Sequence, residues 1–249
     1  MTENRRISLR ILDRGTHVLA ILDRPEARNA IDLALVEELH ALCADLEKSP
    51  RVLVIMGIDG IFAAGADIRE LKERGPEEAL IGINSRVFQR VADLPLPTIA
   101  VVNGVALGGG AELAYACDIR IATPGAKFGN PEVNLGIIAG AGASWRLKEL
   151  VGLSLATDML LSGRRLNADE ALAYGLVTRV VAEEELDGAV TALVEQINSA
   201  APLALRLTKL ALKAPASAHP AIDDIAQAVL FQTAEKHRRM SNFLEKKGN

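Results

Sequence analysis

Two glutamates stand where a carboxylate is expensive to keep. Glu112 lies in LGGGAEL (107–113), in a stretch otherwise made of Gly, Ala, Leu and Tyr, and Glu132 lies in FGNPEVNLG (128–136). A lone carboxyl group in apolar surroundings loses its hydration and needs a task or a partner. Pro131 and the glycine-rich GIIAGAG (136–142) make the second site a shaped turn rather than a plain helix surface. Facing one pocket, the pair suits general acid–base chemistry. Taken singly, either residue is equally readable as a solvated or capping glutamate. Just before Glu112, Gly108, Gly109 and Gly110 open a predicted helix. Backbone without Cβ can approach another group closely, and the first amides of a helix have no internal acceptor and carry partial positive charge. That combination holds an anion, or an oxygen that becomes anionic during a reaction. A second small-residue loop, FAAGADI (62–68), also ends a strand and begins a helix. Two such helix starts in opposition can each give one N–H to a single carbonyl oxygen. Small residues at those junctions also serve tight strand–helix packing, and spacing alone does not decide between the two.

The elements that must position these groups alternate between strand and helix. Residues 7–12 and 17–22 read as two short strands joined by the Asp13-Arg14-Gly15 turn. Leu35, Leu39, Leu42 and Leu46 recur with amphipathic-helix spacing. Cys43 shares their broad face with Val36 and reads as a core thiol. The apolar run 52–56 has the length of a buried parallel strand. A charged helix follows FAAGADI, a second is expected over about 76–93, and the strand 98–102 delivers the chain to the triple glycine. Further strands are expected at 119–122, 127–129 and 177–181. A helix over 153–161 stops at Ser162-Gly163, and Asn167 with Glu170 makes a capping pair. Two amphipathic helices follow, marked by Leu186, Val190, Leu193 and Ile197, and by Leu203, Leu207 and Leu210. The final thirty or so residues read as helical, and the sequence shows no clear internal repeat. Recurrent strand–loop–helix units favour a mainly parallel α/β sheet. The expected division is a β/α core over 1–195 and a helical subdomain over 196–249.

Composition narrows the function classes. The 249 residues suffice for a substantial buried core. Aromatic residues supply only 3%, so Ala, Val, Leu and Ile must fill it. A net charge of -4 and a pI near 5.7 argue against a general nucleic-acid or anionic-membrane binder. Cys43 and Cys117 make neither a zinc spacing nor a disulfide scaffold. No apolar run reaches the length of a membrane span, and the charged MTENRRISLRILDRG start lacks a signal-peptide core. The expected location is cytoplasmic. There is no Walker A motif, no GxGxxG fingerprint and no GxSxG elbow. His17, His40, His219 and His237 are scattered away from the glycine-rich loops and read as structural or surface residues.

The segments together resemble the crotonase superfamily, in its enoyl-CoA hydratase branch. The likeness runs through LDRPEARNAI (22–31), FAAGADI, PTIAVVNGVALGGGAELAYACDIRIA (97–122), FGNPEVNLGIIAGAGA (128–143), LSGRRLNADEALAYGLV (161–177) and MSNFLEKK (240–247). Any one segment is weak, but in this order they are highly specific. The resemblance implies a ββα spiral core that binds acyl-CoA thioesters, with a C-terminal helical trimerisation subdomain giving a homotrimer or a dimer of trimers. It implies an oxyanion hole from the backbone N–H groups of Ala66 and Gly109, catalytic roles for Glu112 and Glu132, and a water-positioning Gly140. It puts Arg28, Ala30, Ala64, Asp67 and Ile68 along the CoA site. It matches Phe243 and Lys246 to tail positions that a neighbouring subunit can contribute. It implies no metal and no redox cofactor, since CoA is part of the substrate. The expected reaction is hydration of 2-enoyl-CoA. The alternatives are a Δ3-Δ2-enoyl-CoA isomerase or another acyl-CoA lyase and, in a different class, a non-catalytic acyl-CoA binder or an RNA-binding offshoot.

Several positions depart from the usual pattern. GIDGIFAAG lacks the lysine often found before the phenylalanine. AGAGASWRL puts Ala139, Ala143, Ser144 and Trp145 where Pro, Gly, Thr and Gln are frequent, which predicts a reshaped acyl pocket. Arg238 and Arg239 replace a common Glu and Gly, which predicts altered subunit packing or CoA phosphate contacts.

Overall fold

The computed structural model describes residues 3–5 and 8–247, with the side chains of 3–5 and 246–247 outside the description. Its strands, in chain order, are β1 (Glu3–Arg5), β2 (Leu9–Asp13), β3 (His17–Leu22), β4 (Val52–Gly57), β5 (Ile61–Ala63), β6 (Thr98–Val102), β7 (Val105–Leu107), β8 (Ile119–Ala122), β9 (Lys127–Gly129), β10 (Arg165–Asn167) and β11 (Arg179–Val180). They form two sheets. The larger has the order β1-β2-β3-β4-β6-β8-β11, and the smaller has the order β10-β9-β7-β5. The β1, β2 and β3 pairings are antiparallel, and from β3 to β11 the large sheet is parallel. The hairpin between β2 and β3 turns where expected, with Asp13 Oδ1 accepting from the Gly15 N–H at 2.8 Å.

The helices are α1 (Leu33–Lys48), α2 (Ile68–Glu73), α3 (Pro76–Ile81), α4 (Ile83–Ala92), α5 (Gly109–Ala116), α6 (Ala143–Val151), α7 (Leu153–Ser162), α8 (Ala168–Ala173), α9 (Leu186–Asn198), α10 (Pro202–Lys213), α11 (Ala221–Phe231) and α12 (Ala234–Lys247). The single helix expected over 76–93 is two. Gly82, at φ 68°, ends α3 in a left-handed conformation and starts α4, because glycine enters that region without a Cβ penalty.

A structural repeat emerges that the sequence does not announce. β4 with β5, β6 with β7, and β8 with β9 each place one strand in each sheet before the chain turns into helix. This is a crotonase-type ββα spiral. The repeat matters for the site, because successive turns bring the loops after β5, β7 and β9 together at the C-terminal end of these strands. The parallel pairing of β5 with β7 and of β7 with β9 fixes that alignment.

The core explains why β4 reads as unbroken apolar sequence. Leu53 and Ile55 pack into the main cluster with α1, α4 and α5. Val52 and Val54 face the other way, onto Leu186, Leu193, Val194 and Ile197 of α9. Cys43 sits inside the main cluster, and burial pushes its thiol up to about 12. α9 covers the sheet through Ile197, so the expected division at 195/196 falls inside this helix. Beyond it, α10–α12 leave Leu210, Leu212, Ile225, Val229, Phe231, Phe243 and Leu244 exposed. Among the described residues no helix is long and apolar enough to cross a membrane.

Candidate active site

The two small-residue loops do meet. The loop after β5 is tied to the chain before α1 by a one-residue parallel bridge between Ile31 and Ala66. In it the Ile31 N–H donates to Gly65 O at 2.8 Å and the Asp67 N–H donates to Ile31 O at 2.9 Å. Those bonds engage the groups flanking Ala66 and leave its own N–H out of the ladder. Ala66 N then lies 3.4 Å from the point where a Cβ on Gly109 would sit. Among the described residues, neither the Ala66 N–H nor the Gly109 N–H has a protein acceptor. Two backbone donors therefore converge on a space that any side chain at Gly109 would fill.

Each glycine of the triplet answers a separate constraint. Gly108 has φ 51° and ψ −127°, a region closed to residues with a Cβ, and a Cβ there would stand 3.1 Å from Glu132 Oε1. Gly109 keeps the donor space open. A Cβ on Gly110 would collide with the Ala63 carbonyl, so its absence lets α5 pack directly on β5.

Glu112, on the first turn of α5, is 3% exposed. Its Oε1 accepts the backbone N–H groups of Ala141 at 2.7 Å and Ala143 at 3.0 Å, while Oε2 takes part in neither bond. Burial pushes this carboxyl up to about 7; the Ala143 N–H opposes that rise and the nearby Glu132 charge adds to it. Such a group exchanges a proton near neutrality. The chain that cradles it belongs to the AGAGA segment, and Ala139, Ala141 and Ala143 are buried against the core.

Glu132 opens the short 3-10 helix Glu132–Leu135 and is also buried. Its Oε1 accepts one long bond from Asn130 Nδ2 at 3.4 Å. Its Oε2 is buried with no hydrogen-bond partner among the described residues. Loss of hydration raises this carboxyl above its ordinary value, against hydrogen bonds from its own backbone and from Asn130. An unmatched buried oxygen disfavours the ionised form, so this carboxyl holds a proton more tightly than an ordinary hydrated glutamate.

Both glutamates line a cavity of about 580 Å³, together with Ala64, Ala66, Ile68, Gly108, Gly109, Gly140 and Ala141. The wall from α2 to α4 carries Leu71, Arg74, Glu78, Ala79, Ile83, Asn84 and Ser85, and the facing turn carries Leu135, Ile137 and Ile138. Of the residues expected at the site, Glu112, Glu132, Ala66, Gly109, Gly140, Ala64 and Ile68 share this cavity. Arg28, Ala30 and Asp67 do not line it. The Arg28 carbonyl accepts from the Ala64 N–H at 3.1 Å, and the Ala30 carbonyl accepts from Arg24 at 2.7 Å. Asp67 caps α2 through the Arg69 N–H at 3.0 Å and pairs with Arg24 at 3.4 Å. These three residues brace the loop that presents Ala66. Phe243 is exposed on α12, in a surface depression with Arg239, Met240 and Leu244. The side chain of Lys246 lies outside the described residues.

Trp145 lies outside the cavity lining, with Arg146 stacked over its ring at 5.0 Å. Arg238 and Arg239 both pair with Glu235 at 2.6 Å, and Arg239 also donates to Ser199 O at 2.7 Å. Sequence reading missed a buried relay behind Glu132. The Tyr115 hydroxyl donates to Asn130 Oδ1 at 3.1 Å, and Asn130 Nδ2 reaches both Gly108 O and Glu132 Oε1 at 3.4 Å. Tyr115 stands three residues after Glu112 and Asn130 two before Glu132, so proximity to the glutamates was the available signal. Nothing local shows that the two side chains meet.

Comparison with known proteins agrees with this geometry. The family model described as "Enoyl-CoA hydratase/isomerase" matches residues 14–249. The chain is 36% identical over 244 residues to the short-chain-enoyl-CoA hydratase of Clostridium acetobutylicum, covering 94% of this chain and 93% of that one. It is 39% identical over 240 residues to the crotonyl-CoA hydratase of Syntrophomonas wolfei, covering 92% of each. In three dimensions it is similar to the enoyl-CoA hydratase of Bacillus anthracis, with a TM-score of 0.90, 33% identity and 96% coverage of both chains. Fold, site and relatives agree: the chain belongs to the enoyl-CoA hydratase/isomerase family, within the crotonase superfamily.

Proposed function

We infer that the protein is an enoyl-CoA hydratase, adding water across the 2,3 double bond of a 2-enoyl-CoA thioester to give a 3-hydroxyacyl-CoA. One observation carries the reading: two buried carboxyl groups with raised proton affinity line the same cavity as two unengaged backbone N–H groups. Hydration places hydroxyl on Cβ and a proton on Cα, and in between the thioester oxygen gains negative charge. In this reading the Ala66 and Gly109 N–H groups take up that charge as it develops. Ionised Glu112, its Oε1 fixed by Ala141 and Ala143, accepts the proton of the attacking water. Protonated Glu132 donates to Cα, and the two glutamates exchange these states over each turnover. Gly140, beside the Ala141 donor, has no side chain to occupy the water's place.

Hydration leaves the overall oxidation state of the substrate unchanged, so the reading needs no redox cofactor; it gives the electrophilic role that a metal could fill to the Ala66 and Gly109 N–H groups, and CoA enters as part of the substrate. The loop braced by Arg28, Ala30 and Asp67 is the proposed CoA entrance. The exposed apolar side chains of α10–α12 support self-association, which in this reading is a homotrimer or a dimer of trimers whose tail around Phe243 meets a neighbour's substrate. Helices α10–α12 then serve assembly, and the preceding core, α9 included, serves chemistry. The acidic balance of the chain argues against a nucleic-acid role, and the reading places the enzyme in the cytoplasm.

The test is to mix purified protein with crotonyl-CoA and longer 2-enoyl-CoA esters and follow loss of the conjugated-enoyl absorbance. Formation of 3-hydroxyacyl-CoA is expected. Conversion of 3-enoyl to 2-enoyl thioester without hydroxyacyl product would contradict hydration and identify an isomerase.

A further inference from the structure

One polar side chain of the cavity has neither a role in the catalytic scheme nor a hydrogen-bond partner among the described residues. Asn84 stands on the first turn of α4 and lines the cavity. Among the described residues no hydrogen bond engages it, and its Oδ1 is buried without a partner. A buried side-chain oxygen normally finds a donor; Asn84 as a whole is half-buried, and its Oδ1 is the atom that is fully enclosed. Other polar residues on the same wall are engaged. Arg74 pairs with Glu70 at 3.2 Å, Glu78 accepts from the Gly75 N–H at 2.9 Å, and Ser85 donates to Gly82 O at 3.1 Å.

The position of Asn84 gives its amide a task. The point where Gly109 lacks a Cβ has two nitrogen neighbours, Ala66 N at 3.4 Å and Asn84 Nδ2 at 3.6 Å. The Gly109 N–H adjoins that same point by covalent geometry. Three nitrogen donors therefore border one small space, and that space is the one assigned above to the thioester oxygen. We propose that Asn84 is a catalytic residue of this enzyme, its side-chain Nδ2–H giving the thioester oxygen a third hydrogen bond beside those of Ala66 and Gly109. The donor belongs to α4, so the Gly82 break that separates α4 from α3 also sets its approach to Gly109. The bond adds no covalent step. It strengthens as charge moves from the enoyl double bond onto the thioester oxygen, so it acts more on turnover than on ground-state affinity.

This inference rests on the hydratase reading, and one experiment separates their failures. The wild type, Asn84→Ala and Asn84→Asp are compared in two readouts: hydration of crotonyl-CoA, and the absorbance of a bound, extended-conjugation enoyl-CoA that turns over slowly. Hydrogen bonds to the carbonyl polarise the conjugated system and move its absorbance to the red. Asn84→Ala is expected to lower kcat at least about tenfold, short of the ~10²–10³ of a primary donor, with KM little changed and a smaller red shift. Asn84→Asp keeps the shape but supplies an acceptor, so it is expected to be at least as impaired as Asn84→Ala. A packing role gives the opposite order, because the isosteric Asp fills the site. Wild-type hydration together with an unchanged kcat and red shift in Asn84→Ala overturns the donor and leaves the hydratase reading intact. A change in KM alone does the same. A wild type that binds the conjugated ester but hydrates none contradicts the hydratase reading, while the red shift still decides on Asn84. No binding and no turnover by the wild type overturns both.

Discussion

Glu112 and Glu132 share a cavity but are held in opposite ways. Glu112 is clamped, with two backbone donors from one buried segment fixing a single oxygen. Glu132 is loosely held: besides its own backbone, only Asn130, at 3.4 Å, bonds its carboxyl among the described residues, and Oε2 is buried without a partner. The difference matches the unequal demands of the proposed reaction. A water must be held at one point relative to Cβ, so its partner gains from a rigid mount. A proton donor to carbon gains instead from an oxygen that prefers to carry hydrogen. Burial raises the proton affinity of both groups, and the mounting differs.

The largest expected effect removes each carboxyl in turn. Glu112→Gln and Glu132→Gln keep size and polar contacts but abolish proton transfer, typically worth ~10²–10⁴ in rate. Steady-state kinetics with a binding titration should show kcat falling by that range while affinity for enoyl-CoA holds. The pH profile sharpens the comparison. Turnover needs one ionised and one protonated carboxyl, so kcat/KM should trace a bell whose two apparent values belong to the pair and lie above the ordinary carboxylate range. A profile flat from pH 5 to pH 9 contradicts that pairing.

Stability should respond next. The folded Glu112 value of about 7 exceeds its ordinary 4.5, so the native state binds the proton more tightly than the unfolded chain. Its contribution is fully present below pH 4.5 and is lost as pH rises through 7, by up to about 3 kcal/mol. Glu112→Gln, which cannot ionise, should therefore melt above the wild type at pH 8.5 and show little gain at pH 4.5. Thermal denaturation at the two values checks this, and equal differences at both would contradict it. The smallest effect concerns the relay. Tyr115→Phe removes the donor to Asn130 Oδ1 and should reduce stability by about 1–3 kcal/mol. Turnover should fall only a few-fold, because Glu132 keeps its contact with Asn130. A hundredfold loss in kcat would place the relay inside the proton chemistry.

Much of this arrangement could be read before the chain was folded. The central strands of the large sheet were legible because runs such as 52–56 and 98–102 are almost wholly apolar, whereas the charged Glu3–Arg5 strand at its edge carries no such signal and the expected strand over 177–181 is reduced to Arg179–Val180. α1 was legible from its leucine spacing. The small sheet was harder, since Ile61–Ala63, Val105–Leu107 and Arg165–Asn167 span three residues each, too few to establish a period. The break at Gly82 was hidden because one glycine inside a helical pattern is tolerated as often as it terminates. At the site, the glutamates and the glycine loops were visible as residue types out of keeping with their neighbours. Asn84, Asn130 and Tyr115 are ordinary residues in their local sequence. Only the spiral brings α4 beside α5, and β9 beside the start of α5, and so gives these three a place at the site.

The central claim is that the two carboxyl groups work on one substrate as a unit, and the double variant Glu112→Gln/Glu132→Gln tests it most directly. Its hydration rate is measured under single-turnover conditions beside the wild type and both single variants. If each glutamate depends on the other, the double variant should be impaired little more than the worse single variant, far less than the product of the two losses. Losses that multiply in full, or near-wild-type hydration by either single variant, would contradict the account.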